Sequence, residues 1–170
     1  MIADVLTVML DSCVYDQLVA DRDIRKALSA AIEEGSVAVL ATHIQRDELT
    51  ETPDESKREA MLECFHELAR TVPTSVFVLD HSRLDEAQLG PFVDGEVFDR
   101  TFRTPREDRK DGMPGHTNDA IILDTSLAEG AVLVTNDEKR LMKVARKAGA
   151  KTLTVAEFFS RVRDRRFAAE

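Results

Sequence analysis

A chain of 170 residues is long enough to bury a core of its own, since proteins of this size remove roughly 70% of their unfolded surface from water on folding. Its hydrophobic share of 43% and charged share of 32% are those of a globular protein in water, with no apolar run able to span a bilayer, and a net charge of −9 argues against nucleic-acid binding by bulk positive charge. Two cysteines, Cys13 and Cys64, without close spacing or neighbouring histidines, support neither a disulfide framework nor a thiolate zinc site and read as reduced, buried thiols.

Ile2 to Leu10 is too short for a secretory signal, is interrupted by Asp4 and lacks a basic lead, so a cytoplasmic protein without a membrane anchor is expected. Val5 to Leu10 is a near-continuous apolar strand that ends at Asp11 and Ser12. From Val14 to Ile32, Leu18, Ile24, Leu28, Ala31 and Ile32 recur with helical spacing, as one helix or two short ones, closing at Gly35. Val37 to Ala41 is a second strand, and the resulting βαβ unit implies parallel pairing through a right-handed crossover. Thr42 and Gln45 have capping-box spacing, so a short helix starts at His43, carries Ile44, Glu48 and Leu49, and stops near Pro53 and Asp54. A charged helix from about Glu55 to Thr71 turns Met61, Leu62, Phe65 and Leu68 inward, ahead of a third strand from Ser75 to Leu79 closed by Asp80.

The pattern fails from Gly90 to Gly115, where Gly, Pro and charge dominate, and this segment reads as an irregular insertion. Beyond it, Thr117 or Asn118 can cap a helix carrying Ala120, Ile121, Leu123, Leu127 and Ala128, with Gly130 ending it. Ala131 to Val134 is a strand apolar on both faces, followed by Thr135, Asn136 and Asp137. An amphipathic helix from Lys139 to Ala148 ends at Gly149, Thr152 to Val155 is a last short strand, and Ala156 to Phe167 a terminal helix. The sum is an α/β fold, a three-layer α/β/α sandwich around a central, mainly parallel sheet of four to five strands. One domain over residues 1–170 is expected, with the insertion at about 90–115.

Four acids fall near the carboxyl edge of that sheet: Asp11, Glu48, Asp119 and Asp137. Each alone has an ordinary explanation as a helix cap, a dipole partner or solvated surface. As a cluster they repel, by about 4 kcal/mol for two carboxylates ~4 Å apart at an effective dielectric of ~20, which implies a bound cation. Oxygen-only ligands favour Mg²⁺ or Mn²⁺, and one or two such ions can hold a phosphodiester, lower the pKa of an attacking water and neutralise the leaving oxygen. Asp47 competes with Glu48, but adjacent helical residues point about 100° apart, so only one faces the site. Asp16 and Asp124 lie near Asp11 and Asp119 in sequence, and exposed helical acids are the default for both.

This ordered set resembles the PIN domain of metal-dependent ribonucleases, which includes the toxins of VapBC-type toxin–antitoxin pairs. The resemblance covers most of the chain: Asp11 in VMLDSC, Glu48 in THIQRDEL, Asp119 in NDAIIL and Asp137 in LVTND match the four acids of that family in order and placement. It implies a PIN-like fold and Mg²⁺- or Mn²⁺-dependent endoribonuclease activity on single-stranded or structured RNA, with the four acids as metal-holding and catalytic residues. Ser12, Asn118, Thr135 and Asn136 match neighbouring polar positions that support such ligands or their waters. A small antitoxin protein and homodimerisation are the partners it implies.

Arg100, Arg103, Arg106 and Arg109 recur every third residue and form a candidate nucleic-acid contact, although Asp99, Glu107, Asp108 and Asp111 nearly cancel them and Pro105 forbids one helix through the run. Arg161, Arg163, Arg165 and Arg166 read as a surface helix. Among His43, His66, His81 and His116 no ligand spacing occurs, and only His116 lies near the site. Two other readings compete. One is a PIN-like RNA-binding or regulatory protein without turnover. The other is a phospho-receiver module built on Asp80, which would need a Lys directly after the last strand, whereas Lys151 precedes it.

Overall fold

The computed structural model describes residues 5–76, 83, 85–87 and 117–164. The expectations placed on Asp80, His81, His116, the insertion at 90–115 and Arg100, Arg103, Arg106 and Arg109 lie outside the described residues. In chain order the elements are β1 (Leu6–Leu10), α1 (Ser12–Ala20), α2 (Arg22–Glu33), β2 (Val37–Ala41), α3 (His43–Thr50), α4 (Glu55–Leu68), β3 (Ala69–Thr71), α5 (Thr117–Ala128), β4 (Val132–Val134), α6 (Leu141–Lys147), β5 (Thr152–Leu153) and α7 (Val155–Asp164).

Among the described residues, five strands form one sheet in the order β3-β2-β1-β4-β5, and every pairing is parallel. Apolar runs such as LTVML and VLV arise because β1 and β4, inside the sheet, are covered on both faces. Alternate residues divide between two cores. Leu6, Val8, Leu10, Val37, Val39, Val132 and Val134 pack with Leu18, Leu28, Phe65 and Phe158 of α1, α2, α4 and α7. Met9, Leu40 and Leu133 face the other way, against Ile44, the Ile121 to Leu123 run of α5, and Leu141 and Ala145 of α6. A three-layer α/β/α sandwich with a fully parallel central sheet follows, as the strand and helix periods require. Among the described residues, no helix is long and apolar enough to cross a membrane.

Local signals explain most boundaries. The 14–32 stretch forms two helices because Asp21 interrupts it and caps the second, its carboxylate accepting from Ile24 N at 3.1 Å. Thr42 and Gln45 form the expected capping box at the start of α3. Gly130, at φ 62°, reverses the chain after α5 so that Ala131 N reaches Ser126 O at 2.8 Å.

Three expectations need correction. The third strand is Ala69–Thr71, paired with β2 through Val39↔Ala69 and Ala41↔Thr71, so α4 stops at Leu68 and not at Thr71. Ser75 and Val76 lie outside any strand, and residues 77–79 lie outside the described residues. Backbone pairing to β2 outweighs apolar content here, while Ser75 is drawn to α5 instead, its N–H donating to Thr125 Oγ1 at 3.1 Å and its hydroxyl to Asp124 Oδ2 at 2.7 Å. Thr117 and Asn118 already lie within α5, so neither is its cap. Cys64 is buried as expected, but Cys13 is exposed.

Candidate active site

Parallel pairing brings every strand's carboxyl end to one edge. From β1 the chain winds through β2 to β3 on one side of the sheet, then continues with β4 and β5 on the other. The crevice beyond β1 and β4 is therefore the topological switch point, where open α/β sheets bind ligands. Asp11 follows β1 directly and Asp137 lies shortly after β4, while Glu48 sits on the helix after β2 and Asp119 in the first turn of α5. All four acids thus come to this edge.

Asp11 occupies the N-cap position of α1, yet its side chain makes no capping hydrogen bond. Instead the buried Thr135 hydroxyl donates to Asp11 Oδ2 at 2.7 Å, and the same hydroxyl accepts from Asp137 N at 3.0 Å. Asp11 N donates to Val134 O at 2.9 Å, which extends the β1–β4 ladder by one residue and fixes the backbone beneath this contact. Ser12 Oγ stands 3.4 Å from Asp11 Oδ1, a long contact that adds little. Asp137 does serve a helix start as well, since its Oδ1 accepts from Arg140 N at 3.0 Å. Asn136 Oδ1 accepts from Val155 N at 3.3 Å, so this side chain ties the loop to α7.

A second linked pair lies on the helices. Asn118 Nδ2 donates to Glu48 Oε1 at 2.8 Å, joining α3 to the first turn of α5 beside Asp119. Gln45, whose sequence signal spoke only of helix capping, also connects this pair to the first. Its Oε1 accepts from Thr42 N at 2.8 Å and its Nε2 donates to Leu10 O at 3.3 Å, the residue before Asp11. Capping spacing identifies Gln45; only the tertiary fold reveals its reach to β1.

The neighbouring acids separate from this group. Asp47 is engaged by Arg83, whose guanidinium reaches both carboxylate oxygens at 3.1 and 2.9 Å, which leaves Glu48 as the α3 acid of the site. Arg46 pairs with Glu86 at 3.0 Å and holds that carboxyl below its usual range. Asp16 makes a surface ion pair with Lys57 at 2.8 Å. Asp124, expected to be exposed, is fully buried; burial pushes its carboxyl up against the opposing effect of the Ser75 hydroxyl, and its Oδ1 has no hydrogen-bond partner among the described residues. Cys13 Sγ lies 3.6 Å from Asp11 Oδ2, and desolvation of the sulfur together with the Asp11 charge pushes its thiol up to about 12.

The side chains thus form two hydrogen-bonded groups, Asp11 with Thr135 and Asp137, and Glu48 with Asn118, beside which Asp119 sits in sequence. Among the described residues, no three acidic, histidine or cysteine side chains stand close enough together to form a metal-binding cluster. The donor chemistry nonetheless suits a hard divalent cation: the candidates are carboxylates, all partly exposed at an open edge. Mg²⁺ keeps several waters and is commonly held by one or two protein carboxylates, so a closed protein shell is not required of such a site.

No family model matches the chain, and no curated protein matches it in sequence. Its fold is shared with a chain of VapBC2 from Rickettsia felis, in a crystal structure of that assembly bound to a DNA fragment from their promoter. The superposition gives a TM-score of 0.52 at 15% identity, covering 88% of this chain and 98% of the other. At that identity the likeness is one of fold, and the fold is the PIN-like α/β/α sandwich.

Proposed function

We propose that this chain is a PIN-domain endoribonuclease that uses Mg²⁺ or Mn²⁺ to hydrolyse phosphodiester bonds in RNA, as a single domain acting in the cytoplasm. The observation that carries the reading is the orientation of Asp11: at an N-cap position it leaves the cap unmade and is held across the β1–β4 crevice by Thr135. A carboxylate diverted from a favourable local bond to a switch-point crevice is placed for a ligand.

Asp11, Glu48, Asp119 and Asp137 would hold the cation, which when bound polarises the phosphodiester and lowers the pKa of water. The chain's own contribution is orientation. Thr135 fixes the Asp11 carboxylate, Asn118 fixes Glu48, and Gln45 keeps α3 in register with the end of β1. Asp137 keeps one oxygen on Arg140 N, so its other oxygen is the one available to a cation or its water. A fold shared with a chain of a VapBC assembly supports a toxin role with a small antitoxin protein as partner, and homodimerisation accompanies that reading.

The test is cleavage of a generic single-stranded RNA with Mn²⁺, with and without chelator, by the unaltered chain and by Asp119→Asn. Cleavage that requires the ion and falls by about a hundredfold or more in the variant is expected. Activity that survives both chelation and the substitution overturns the catalytic reading, whereas RNA binding without cleavage would favour a PIN-like protein that does not turn over.

A further inference from the structure

At eight residues α3 falls short of the length at which a helix holds itself, so the direction of Glu48 depends on what ties this helix to the rest of the molecule. Gln45 fixes α3 against the end of β1, and Asn118 reaches Glu48 itself. A third tie comes from a turn outside the acidic crevice. The Arg83 guanidinium reaches both Asp47 oxygens, at 3.1 and 2.9 Å, and Glu86 Oε2 at 3.2 Å. Glu86 Oε2 also accepts from Arg46 at 3.0 Å, and Arg46 stands 3.7 Å from Asp47, so four charges of alternating sign close a ring.

This turn is itself anchored. Glu86 N donates to Arg83 O at 3.0 Å, and the fully buried Thr74 donates from its N to Glu86 O at 3.0 Å, beside a parallel bridge between Thr74 and Ala87. The next residue, Ser75, is bound to Asp124 and Thr125 of α5. The ring therefore ties α3 to α5, the helix whose first turn carries Asn118 and Asp119. Single exposed ion pairs contribute little, because pairing immobilises two long side chains and water screens the charges. Here Arg83 grips Asp47 with two bonds and main-chain contacts already fix the turn, so closing the ring orders side chains alone.

We propose that Arg83 and Glu86 are positioning residues, which through Arg46 and Asp47 fix the rotation of α3 about its axis and so aim Glu48 at the first turn of α5. The proposal rests on Glu48 being an acid of the cation site. Successive helical residues are about 100° apart, so Asp47 lies about 100° and Arg46 about 200° around the helix from Glu48. The ring restrains α3 on that side and Asn118 restrains it at Glu48. Without the ring one of these restraints is gone, and the Glu48 carboxylate turns with the helix. Arg83 is half exposed, with a side-chain accessibility of 52%, so dissolved salt screens the ring and loosens it in the same way.

The Asn118 side-chain amide reports the aim of Glu48 without metal or RNA, because it donates to that carboxylate. Its signal in a proton–nitrogen correlation spectrum of the full chain is assigned by its loss in Asn118→Asp, and Glu48→Ala gives its position once the contact is broken. Arg83→Gln, and separately Glu86→Gln, are expected to move the signal toward the Glu48→Ala position. Raising NaCl from about 50 to about 500 mM moves the parent signal the same way and leaves that of Arg83→Gln in place. In Mn²⁺-dependent RNA cleavage, Arg83→Gln lowers kcat by about five- to tenfold with little change in KM, less than the ~hundredfold that a full ångström of misplacement costs. Arg83→Lys, which keeps the charge and loses the fork, falls between. Arg163→Gln, which removes a 3.0 Å surface ion pair to Asp21, changes neither readout. An Asn118 signal that neither substitution nor salt moves overturns the proposal, whatever the cleavage rates. So does a displaced signal with cleavage at the parental rate. A displaced signal in a parent chain that cuts no RNA leaves the positioning of Glu48 intact and removes the nuclease reading instead.

Discussion

The Thr135 hydroxyl donates to the Asp11 carboxylate at 2.7 Å across the β1–β4 crevice while it accepts from the Asp137 backbone at 3.0 Å, so one buried side chain organises two of the site's acids. Thr135→Val keeps the shape and removes the hydroxyl. It leaves Asp137 N without its acceptor and frees the Asp11 rotamer, a loss of about 1–3 kcal/mol of stability. RNA cleavage is expected to fall with it, and Thr135→Ser to restore both. Equal denaturation midpoints and equal cleavage rates for the valine variant and the parent would remove Thr135 from the site.

Gln45 joins a helix cap to the end of the central strand, and Gln45→Leu separates those roles from simple burial. The variant keeps volume but orphans Thr42 N and Leu10 O in a buried setting. A stability loss of about 1–3 kcal/mol is expected. Thr42→Ala removes the side-chain cap of Ile44 N and costs about 1 kcal/mol. If Gln45 acts only as a cap, the two variants lose equal amounts of cleavage activity; if it sets the register of α3 against β1, Gln45→Leu loses more at matched stability.

These contacts mark how far the sequence alone could be read. β1, β2 and β4 were legible because unbroken apolar runs in a strand-length window require cover on both faces, and α3 because Thr42 and Gln45 carry a spacing with one local meaning. The third strand was not. Ala-Arg-Thr has no apolar pattern, being an edge strand with two exposed residues defined by backbone pairing to β2, whereas Ser75 to Leu79 had the composition of a strand. The four acids were visible through order and through their place after predicted strands or in helix turns. The roles of Thr135, Asn118 and Gln45 depend on partners far away in sequence, as does the burial of Asp124, and no periodicity encodes those.

Asp124 gives a pH dependence of stability. Burial raises its carboxyl above the usual carboxylate range, so the folded chain binds this proton more tightly than the unfolded chain does. Stability from this group is therefore fully present below the unfolded pKa and declines as pH rises through the folded one. Asp124→Asn keeps an oxygen for the Ser75 hydroxyl and has no charge to develop. Its stability relative to the parent is expected to improve as pH is raised from about 4 and to level off once pH has passed the folded-state value, read from urea midpoints at each pH. A difference between the two chains that does not change with pH would show that Asp124 keeps the same protonation in both states.

Asp137→Asn separates charge from structure at the proposed cation site, because the amide oxygen can still accept from Arg140 N. Without metal, removing one of several acids gathered at one sheet edge relieves repulsion; the group is partly exposed and screened, so the gain is at most about 1 kcal/mol. With metal the sign reverses. Mn²⁺ at a hundred times its dissociation constant stabilises a binding-competent chain by about 2.7 kcal/mol, which for a domain of this size raises the melting temperature by roughly 5–10 °C. The parent is expected to show that rise and the variant little of it, while the variant melts slightly higher in chelator. The two curves then cross as Mn²⁺ is added. A Mn²⁺ response equal in both chains would place the ion elsewhere, and no response in either would leave these acids without the counter-ion that their shared edge calls for.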